Sequence, residues 1–166
     1  DSFSEIQSDT ALWVTTGMTV VYALATPAFG ALSDRYGRKL TLTAAAVGFV
    51  LLSAPMLWLM TNEGIVLVIV GGLVLLVLLM LYTGPVVAAI GEEFPSKARY
   101  SALAVGYNLG SAIFGGTAPL VAALLIDWFD SPVASSFLLI LASLIAIPLL
   151  LRMRDRRSMT MDEINA

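Results

Sequence analysis

The sequence contains no cysteine and no histidine, and only 13% of its 166 residues are charged. The two absences exclude disulfides, thiolate chemistry, histidine acid–base catalysis and the usual zinc sites. Soluble proteins carry about a quarter charged residues, whereas 58% of this chain is hydrophobic. Because a water-soluble fold of this size could not bury so much apolar surface, the composition indicates a membrane protein.

Five apolar runs, each without a charged residue, are long enough to cross a bilayer. About 20 apolar residues span a hydrocarbon core of about 30 Å at about 1.5 Å per residue. The predicted spans cover residues 11–32, 40–60, 65–90, 102–126 and 133–151. Short turns between them make neighbouring helices antiparallel. The sequence therefore predicts an all-α transmembrane bundle over residues 1–151 and a polar tail over residues 152–166.

The nine basic residues all fall on one side of these predicted spans. They lie in segments 33–39 and 91–101 and in the tail, whereas every charged residue on the other side is acidic. By the positive-inside rule we expect the C-terminus in the cytoplasm and the N-terminus outside. Basic residues could also snorkel to the headgroups, but snorkelling would serve either face equally well.

Two further features concern the ends of the spans. An odd number of spans with an outside N-terminus is unusual in a complete protein, so we expect that at least one earlier helix is missing. The outer ends of the predicted spans carry the tryptophans typical of a membrane interface, which are Trp13, Trp58 and Trp128.

The first two spans are joined by the stretch Gly30-Ala31-Leu32-Ser33-Asp34-Arg35-Tyr36-Gly37-Arg38-Lys39. Glycine permits backbone conformations that other residues resist, Asp34 could accept from the first N–H groups of another helix, and the basic residues could bind carboxylates or lipid phosphates. A generic cytoplasmic loop would need only the basic residues. The stretch resembles, at every position, the signature loop G-x-L-[SA]-D-R-x-G-R-[KR] of the major facilitator superfamily.

Two later segments resemble one branch of that family, the metabolite:proton symporters. The segment 93–101 is similar to the loop before helix 11, and the segment 106–120 is similar to helix 11 itself. The resemblance implies that the five spans are helices 8–12, part of the C-terminal six-helix bundle of a twelve-helix transporter in the plasma or inner membrane.

The function implied by this resemblance is secondary active transport by alternating access. It implies proton-coupled uptake of a small metabolite, either an organic acid or an osmolyte. The expected partners are the substrate, the lipid bilayer and the missing N-terminal half of the transporter. No cofactor beyond the coupling proton and no nucleic acid is expected.

The resemblance gives the signature loop the role of a conformational latch. Its aspartate would contact the N-terminal end of a helix in the opposite half when the cytoplasmic side is closed. The expected latch residues are Gly30, Asp34, Arg35, Gly37, Arg38 and Lys39. On the same side we expect ion pairing that involves Glu92, Glu93 and Arg99, with one glutamate bound to Arg38 or Arg35. Alternatively, both glutamates are solvated and contribute almost nothing.

Polar side chains inside the spans are candidates for a substrate cavity, which helices 7, 8, 10 and 11 line in the family. Asn108 must face protein or a wet cavity, because an amide in hydrocarbon is costly, although a hydrogen bond between helices would satisfy it equally well. The candidate cavity residues are Tyr82, Tyr107, Asn108, Ser111 and Thr117. The glycines around Asn108 and Pro119 suit a helix that packs closely or kinks, and plain packing would explain the glycines.

The apolar runs hold no ionisable carboxylate or basic group, and proton-coupled transport usually needs one in the membrane. We therefore expect the coupling carboxylate in the missing half. One alternative is a non-transporting fragment or split half that acts only as a membrane module with a partner. An intramembrane enzyme is disfavoured, because no histidine, cysteine or intramembrane carboxylate is available for the chemistry.

Overall fold

The computed structural model describes residues 8–62, 64–93 and 99–153, and within those ranges the chain is helical and contains no strand. In chain order the helices are α1 Ser8–Tyr36, α2 Arg38–Met60, α3 Ile65–Glu93, α4 Arg99–Gly110, α5 Gly116–Phe129 and α6 Ser136–Arg152. A π-helical segment, Ser111–Gly115, joins α4 to α5, and a 3-10 turn, Pro132–Ser135, precedes α6.

Five stretches of these helices are long and apolar enough to cross a membrane. They are Leu12–Tyr36, Arg38–Met60, Ile65–Glu92, Ala104–Phe129 and Pro132–Arg152. The all-α membrane fold with five spans is therefore confirmed. The helices extend a few residues beyond the apolar runs that predicted them, because a helix can continue through the headgroup region on either side of the hydrocarbon core.

Residues with left-handed backbone mark the turns between helices. Gly37 is the one residue between α1 and α2, and its φ of 98° would strain any residue with a side chain. Gly64, with φ of 145°, directly precedes α3. Asp130 ends α5 at φ of 48°, a conformation that aspartate adopts more readily than most residues. These three residues lie in the connections between α1 and α2, between α2 and α3 and between α5 and α6, where the chain changes direction.

Helix α2 is the centre of the bundle. It packs along α3 on one side and α6 on the other, whereas α1 packs mainly on α3. A buried cluster joins the three helices close to the α1–α2 turn, with Leu42 and Ala46 on α2, Ala89 on α3 and Leu150 on α6. Because lipid tails are as apolar as leucine, such close packing is what holds membrane helices together.

The helix pair α4 and α5 lies at the edge of the bundle. Its contacts with the rest are few and lie mainly with the 3-10 turn, and to a lesser extent with α3 and α6. No residue of Ala104–Phe129 is buried. The span predicted over residues 102–126 is not a uniform α-helix, because the π-helical segment widens its centre. Pro119 has no N–H to donate to the carbonyl of Gly115, one turn earlier. The resulting shift in backbone hydrogen bonding favours a π-helical segment, and the neighbouring glycines adapt easily to its wider backbone.

The three tryptophans lie at the end of the bundle opposite the α1–α2 turn. Trp13 lies near the start of α1, Trp58 near the end of α2 and Trp128 near the end of α5. All three are exposed on the bundle surface. Their placement fits contact with headgroups at one membrane interface.

Candidate functional site

The signature loop, residues 30–39, folds as two helix ends joined by a single residue. The N–H of Gly37 donates to the carbonyl of Ser33 at 2.9 Å, and the N–H of Thr41 donates to the carbonyl of Gly37 at 3.2 Å. The buried Ser33 hydroxyl donates to the Gly30 carbonyl at 2.6 Å. The turn at Gly37 is therefore short and held by hydrogen bonds, so the backbone positions of the charged residues within the loop are fixed.

Arg38, the first residue of α2, links α1 to α3 through two ion pairs. Its Nη2 lies 3.2 Å from Asp34 Oδ1, and its Nη1 lies 2.6 Å from Glu92 Oε1. The Arg38 side chain is 26% exposed, compared with 63% for Asp34 and 40% for Glu92. Pairs that are this open to solvent contribute about 0–1 kcal/mol each, so their effect is to orient the loop more than to stabilise the fold.

Of the two glutamates considered, Glu92 is the one that the structure places on Arg38. The side chains of Glu93 and Arg99 lie outside the described part of the chain, so ion pairing through them stays a prediction. Arg35 lies exposed in the last turn of α1. The functional use of these charges also stays a prediction.

Lys39, the neighbour of Arg38, reaches the last helix. Its Nζ donates to the carbonyl of Leu151 at 2.7 Å, near the C-terminal end of α6. A cation at a helix C-terminus satisfies carbonyls that have no helical partner and interacts favourably with the helix dipole. The start of α2 thus holds α1, α3 and α6 through two adjacent side chains, a connection that the sequence analysis did not predict.

The first glycine of the signature loop serves a different purpose from the one expected. Gly37 has the positive φ that only glycine adopts easily, but Gly30 lies within α1 and has no such conformation. Instead, Gly30 lies against Gly84 of α3, where the two helices cross. One side-chain contact accompanies this crossing, because Tyr22 Oη donates to Thr83 Oγ1 at 3.1 Å.

Within residues 82–85 the sequence analysis singled out only Tyr82, as a candidate cavity residue, and it missed the crossing. The available signal was a glycine next to a proline in an otherwise apolar helix. Pro85 is among the most completely buried side chains among the described residues, which agrees with close helix approach at this point.

The candidate cavity residues fall into two groups. Tyr107 and Asn108 on α4, Ser111 in the π-helical segment and Thr117 on α5 are all exposed along one edge of the bundle. The Thr117 hydroxyl donates to the carbonyl of Ile113, within that segment, at 2.7 Å. Tyr82 is half-buried and packs against the buried cluster near the α1–α2 turn. The structure therefore groups four of the five candidates on one helix and places Tyr82 against the core.

A membrane bundle with this signature loop defines the class of protein, and comparison with known families agrees. Residues 3–162 match the family described as Major Facilitator Superfamily. The chain therefore belongs to the Major Facilitator Superfamily. The prediction of a transporter family, as opposed to an enzyme, is confirmed.

Individual relatives are named for the solutes that they transport. The chain is 38% identical over 101 residues to the "Glycine betaine/proline/ectoine/pipecolic acid transporter OusA" of Dickeya dadantii strain 3937, a match that covers 61% of this chain and 20% of that protein. It is 31% identical over 121 residues to the "Proline/betaine transporter" of Escherichia coli strain K12, covering 73% of this chain and 24% of that protein. The matches thus span about a quarter or less of these relatives. No solved structure matches the chain.

Proposed function

We propose that this chain is part of a secondary transporter that takes up a small zwitterionic osmolyte of the proline or betaine type by alternating access. The observation that carries the proposal is the similarity to two transporters named for proline and betaine, along a chain of five spans with the signature loop. Of the two substrate classes left open by the sequence, organic acids and osmolytes, these relatives favour osmolytes.

The edge helix, by which we mean α4, the π-helical segment and α5 together, offers side chains that suit a zwitterion. A substrate carboxylate needs hydrogen-bond donors, which Asn108 and Ser111 supply, and a quaternary ammonium group is attracted to aromatic faces. Tyr107 and Phe114 are exposed on the same helix, on either side of the start of the π-helical segment. We place the substrate cavity along this helix, between this chain and the remainder of the transporter.

The proposed arrangement treats the chain as helices 8–12, with the signature loop on the cytoplasmic side. Asp34 keeps 63% of its side chain exposed while it pairs with Arg38, so its carboxylate can reach a helix N-terminus in the other half. Making that contact in one conformation and breaking it in the other would bias the equilibrium between inward-open and outward-open states. Proton coupling is part of the proposal, with the coupling carboxylate in the other half.

Uptake by the full-length transporter tests the function. Cells that lack their own osmolyte carriers would express the complete gene and receive labelled proline, betaine, a dicarboxylate or shikimate. Proline or betaine uptake that disappears when the proton gradient is collapsed is the expected result. Uptake of the dicarboxylate alone would overturn the substrate class, and osmolyte uptake that is indifferent to the gradient would overturn the coupling.

A further experiment addresses the alternative of a non-transporting module. The 166-residue chain would be expressed alone and together with the remaining helices as a separate polypeptide. We expect insertion in both cases and uptake only in the second. Continued lack of uptake when both parts are inserted, although the full-length protein transports, would show that covalent continuity is needed.

A further inference from the structure

Gly84 lies where the backbones of α3 and α1 are in direct contact. A Cβ atom at this position would lie 2.8 Å from the backbone nitrogen of Gly30, 3.1 Å from the carbonyl carbon of Phe29 and 3.2 Å from the carbonyl oxygen of Thr26. All three are backbone atoms, which cannot rotate aside as a side chain does. The crossing can therefore keep its present distance only if residue 84 has no side chain.

Two other closely packed glycines in the same bundle, Gly48 and Gly72, differ in kind. A Cβ at Gly48 would meet Leu78 Cδ2 at 2.5 Å, and one at Gly72 would meet Met18 Cε at 2.7 Å. Both are the ends of flexible side chains, which can move. A Cβ at Gly30 would lie 3.5 Å from the Gly84 carbonyl oxygen, an ordinary van der Waals distance. Of the two glycines at the crossing, Gly84 is therefore the one that must lack a side chain, whereas Gly30 of the signature loop has room for one.

The crossing lies close to the ion pairs of the signature loop. Asp34 follows Gly30 by about one turn of α1, and Glu92 follows Gly84 by about two turns of α3. Arg38 bridges those two carboxylates at 3.2 and 2.6 Å. Moving α1 away from α3 at the crossing would therefore separate the residues that Arg38 connects.

We propose that Gly84 is a positioning residue for the signature loop. It holds α1 against α3 so that Arg38 can bind Asp34 and Glu92 together, and so that the loop moves with the end of α3 during transport. The role in transport rests on the proposed function, whereas the geometry does not. Gly84 contacts neither substrate nor proton and acts through the helix crossing.

The geometric part is tested by distance measurements on the full-length transporter. Spin labels would be attached to cysteines introduced at Leu24 of α1 and Val87 of α3, both of which are exposed. This chain contains no cysteine of its own, and any cysteines in the remainder of the transporter would first be replaced. Gly84→Ala should lengthen the distance between the labels, and Gly48→Ala should leave it unchanged. An unchanged distance in Gly84→Ala would overturn the proposal whether or not the protein transports proline or betaine.

The functional part is tested by a double-mutant cycle of uptake rates. We expect Gly84→Ala to lower the maximal uptake rate about tenfold with little change in KM, a size that agrees with the cost of overpacking. Adding Glu92→Gln to Gly84→Ala should cost little more, because the Arg38–Glu92 pair is already broken. Added to Gly48→Ala, the same change should have its full effect. Independent effects of Gly84→Ala and Glu92→Gln would show a role in packing alone.

A cross-link keeps the proposal testable if Gly84→Ala does not fold. Cysteines would replace Tyr22 and Thr83, whose hydroxyls lie 3.1 Å apart, and a reducible bifunctional thiol reagent would join them. The proposal expects the cross-link to form and uptake to persist at more than about half the rate of the reduced protein. Failure to form it, or uptake that returns only after reduction, would show that α1 and α3 are separate or must move apart.

Discussion

The α1–α3 crossing and the edge helix α4–α5 use glycine in opposite ways. At the crossing, Gly84 lies against the backbone of α1 at distances that no side chain could share. Along the edge helix, a Cβ at Gly106, Gly110, Gly115 or Gly116 would meet nothing within 4 Å in the described part of the chain. In the sequence, only the glycines of the edge helix were interpreted as a pattern for close helix packing. The difference shows that such a pattern permits close approach but does not identify the partner.

The polar residues of the two regions follow the same contrast. Tyr22 and Thr83 bond to each other across two helices, whereas Thr117 bonds to the backbone of its own helix. In the proposed transporter, the edge helix would face the cavity and the other half. Its uncovered backbone and side chains would then have partners outside this chain.

The strongest test of the contrast compares alanine at Gly84 with alanine at Gly106. Gly84→Ala should lower the free energy of unfolding of the full-length transporter by about 1–3 kcal/mol, because the new methyl group forces two backbones apart. Gly106→Ala should change it by less than about 0.5 kcal/mol. Thermal unfolding in detergent would measure both, and equal losses would show that another part of the transporter packs equally tightly on Gly106.

Charge removal at Arg38 is expected to have the next largest effect. Arg38→Gln breaks two ion pairs, so it should cost more than Glu92→Gln or Asp34→Asn, each of which breaks one. With side chains this exposed we expect about 1 kcal/mol for Arg38→Gln and about half of that for Glu92→Gln. Chemical unfolding at low and high salt would test the order, because screening should shrink both values.

Asp34→Asn separates the latch role from stability. Because Asp34 forms a single weak ion pair among the described residues, the variant should insert and unfold almost as the wild type does. Its uptake rate should nevertheless fall more than that of Glu92→Gln, because the proposed contact with the other half is lost. Normal uptake at normal expression would contradict the latch.

A smaller effect is expected at Lys39, which holds the end of α6. Lys39→Met should cost about 0.3–1 kcal/mol, the range for an exposed cation near a helix C-terminus, and Lys39→Arg should recover most of it. Proteolysis of the tail after α6 offers a local measurement, with faster cleavage expected in Lys39→Met. If Lys39→Met and Lys39→Arg were cleaved at the same rate, the hydrogen bond to Leu151 would not be what holds the helix end.

The smallest effect belongs to Tyr22→Phe, which removes the hydroxyl that donates to Thr83. Hydrogen bonds between membrane helices average about 0.6 kcal/mol, so we expect a loss of that size. Thr117→Val is the matched change on the edge helix and should cost less, because its bond lies within one helix. A larger loss for Thr117→Val would reverse the contrast between the two regions.

Much of the fold could be predicted from the sequence because it depends on local properties. The length of the apolar runs predicted five spans, and glycine with charged residues predicted the turn at Gly37. The interruption at Ser111–Gly115 was not predicted, since a π-helical segment depends on how hydrogen bonds redistribute around Pro119 and the glycines. For the candidate site, the sequence predicted that one glutamate would bind Arg38 or Arg35, but it left Glu92 and Glu93 equivalent and the arginine undecided.

The sequence alone therefore determined that the chain lies in a lipid membrane, and it determined the number of spans, the signature loop and the family. It could do so because the lengths of apolar runs and the spacing of motif residues are properties of a linear chain. Only the tertiary structure decided that Gly84 must lack a side chain, that Arg38 binds Glu92 and that Lys39 holds the end of α6. Each of these depends on the rotation and crossing of helices, which bring together residues far apart in sequence. No local pattern encodes which faces of two helices will meet.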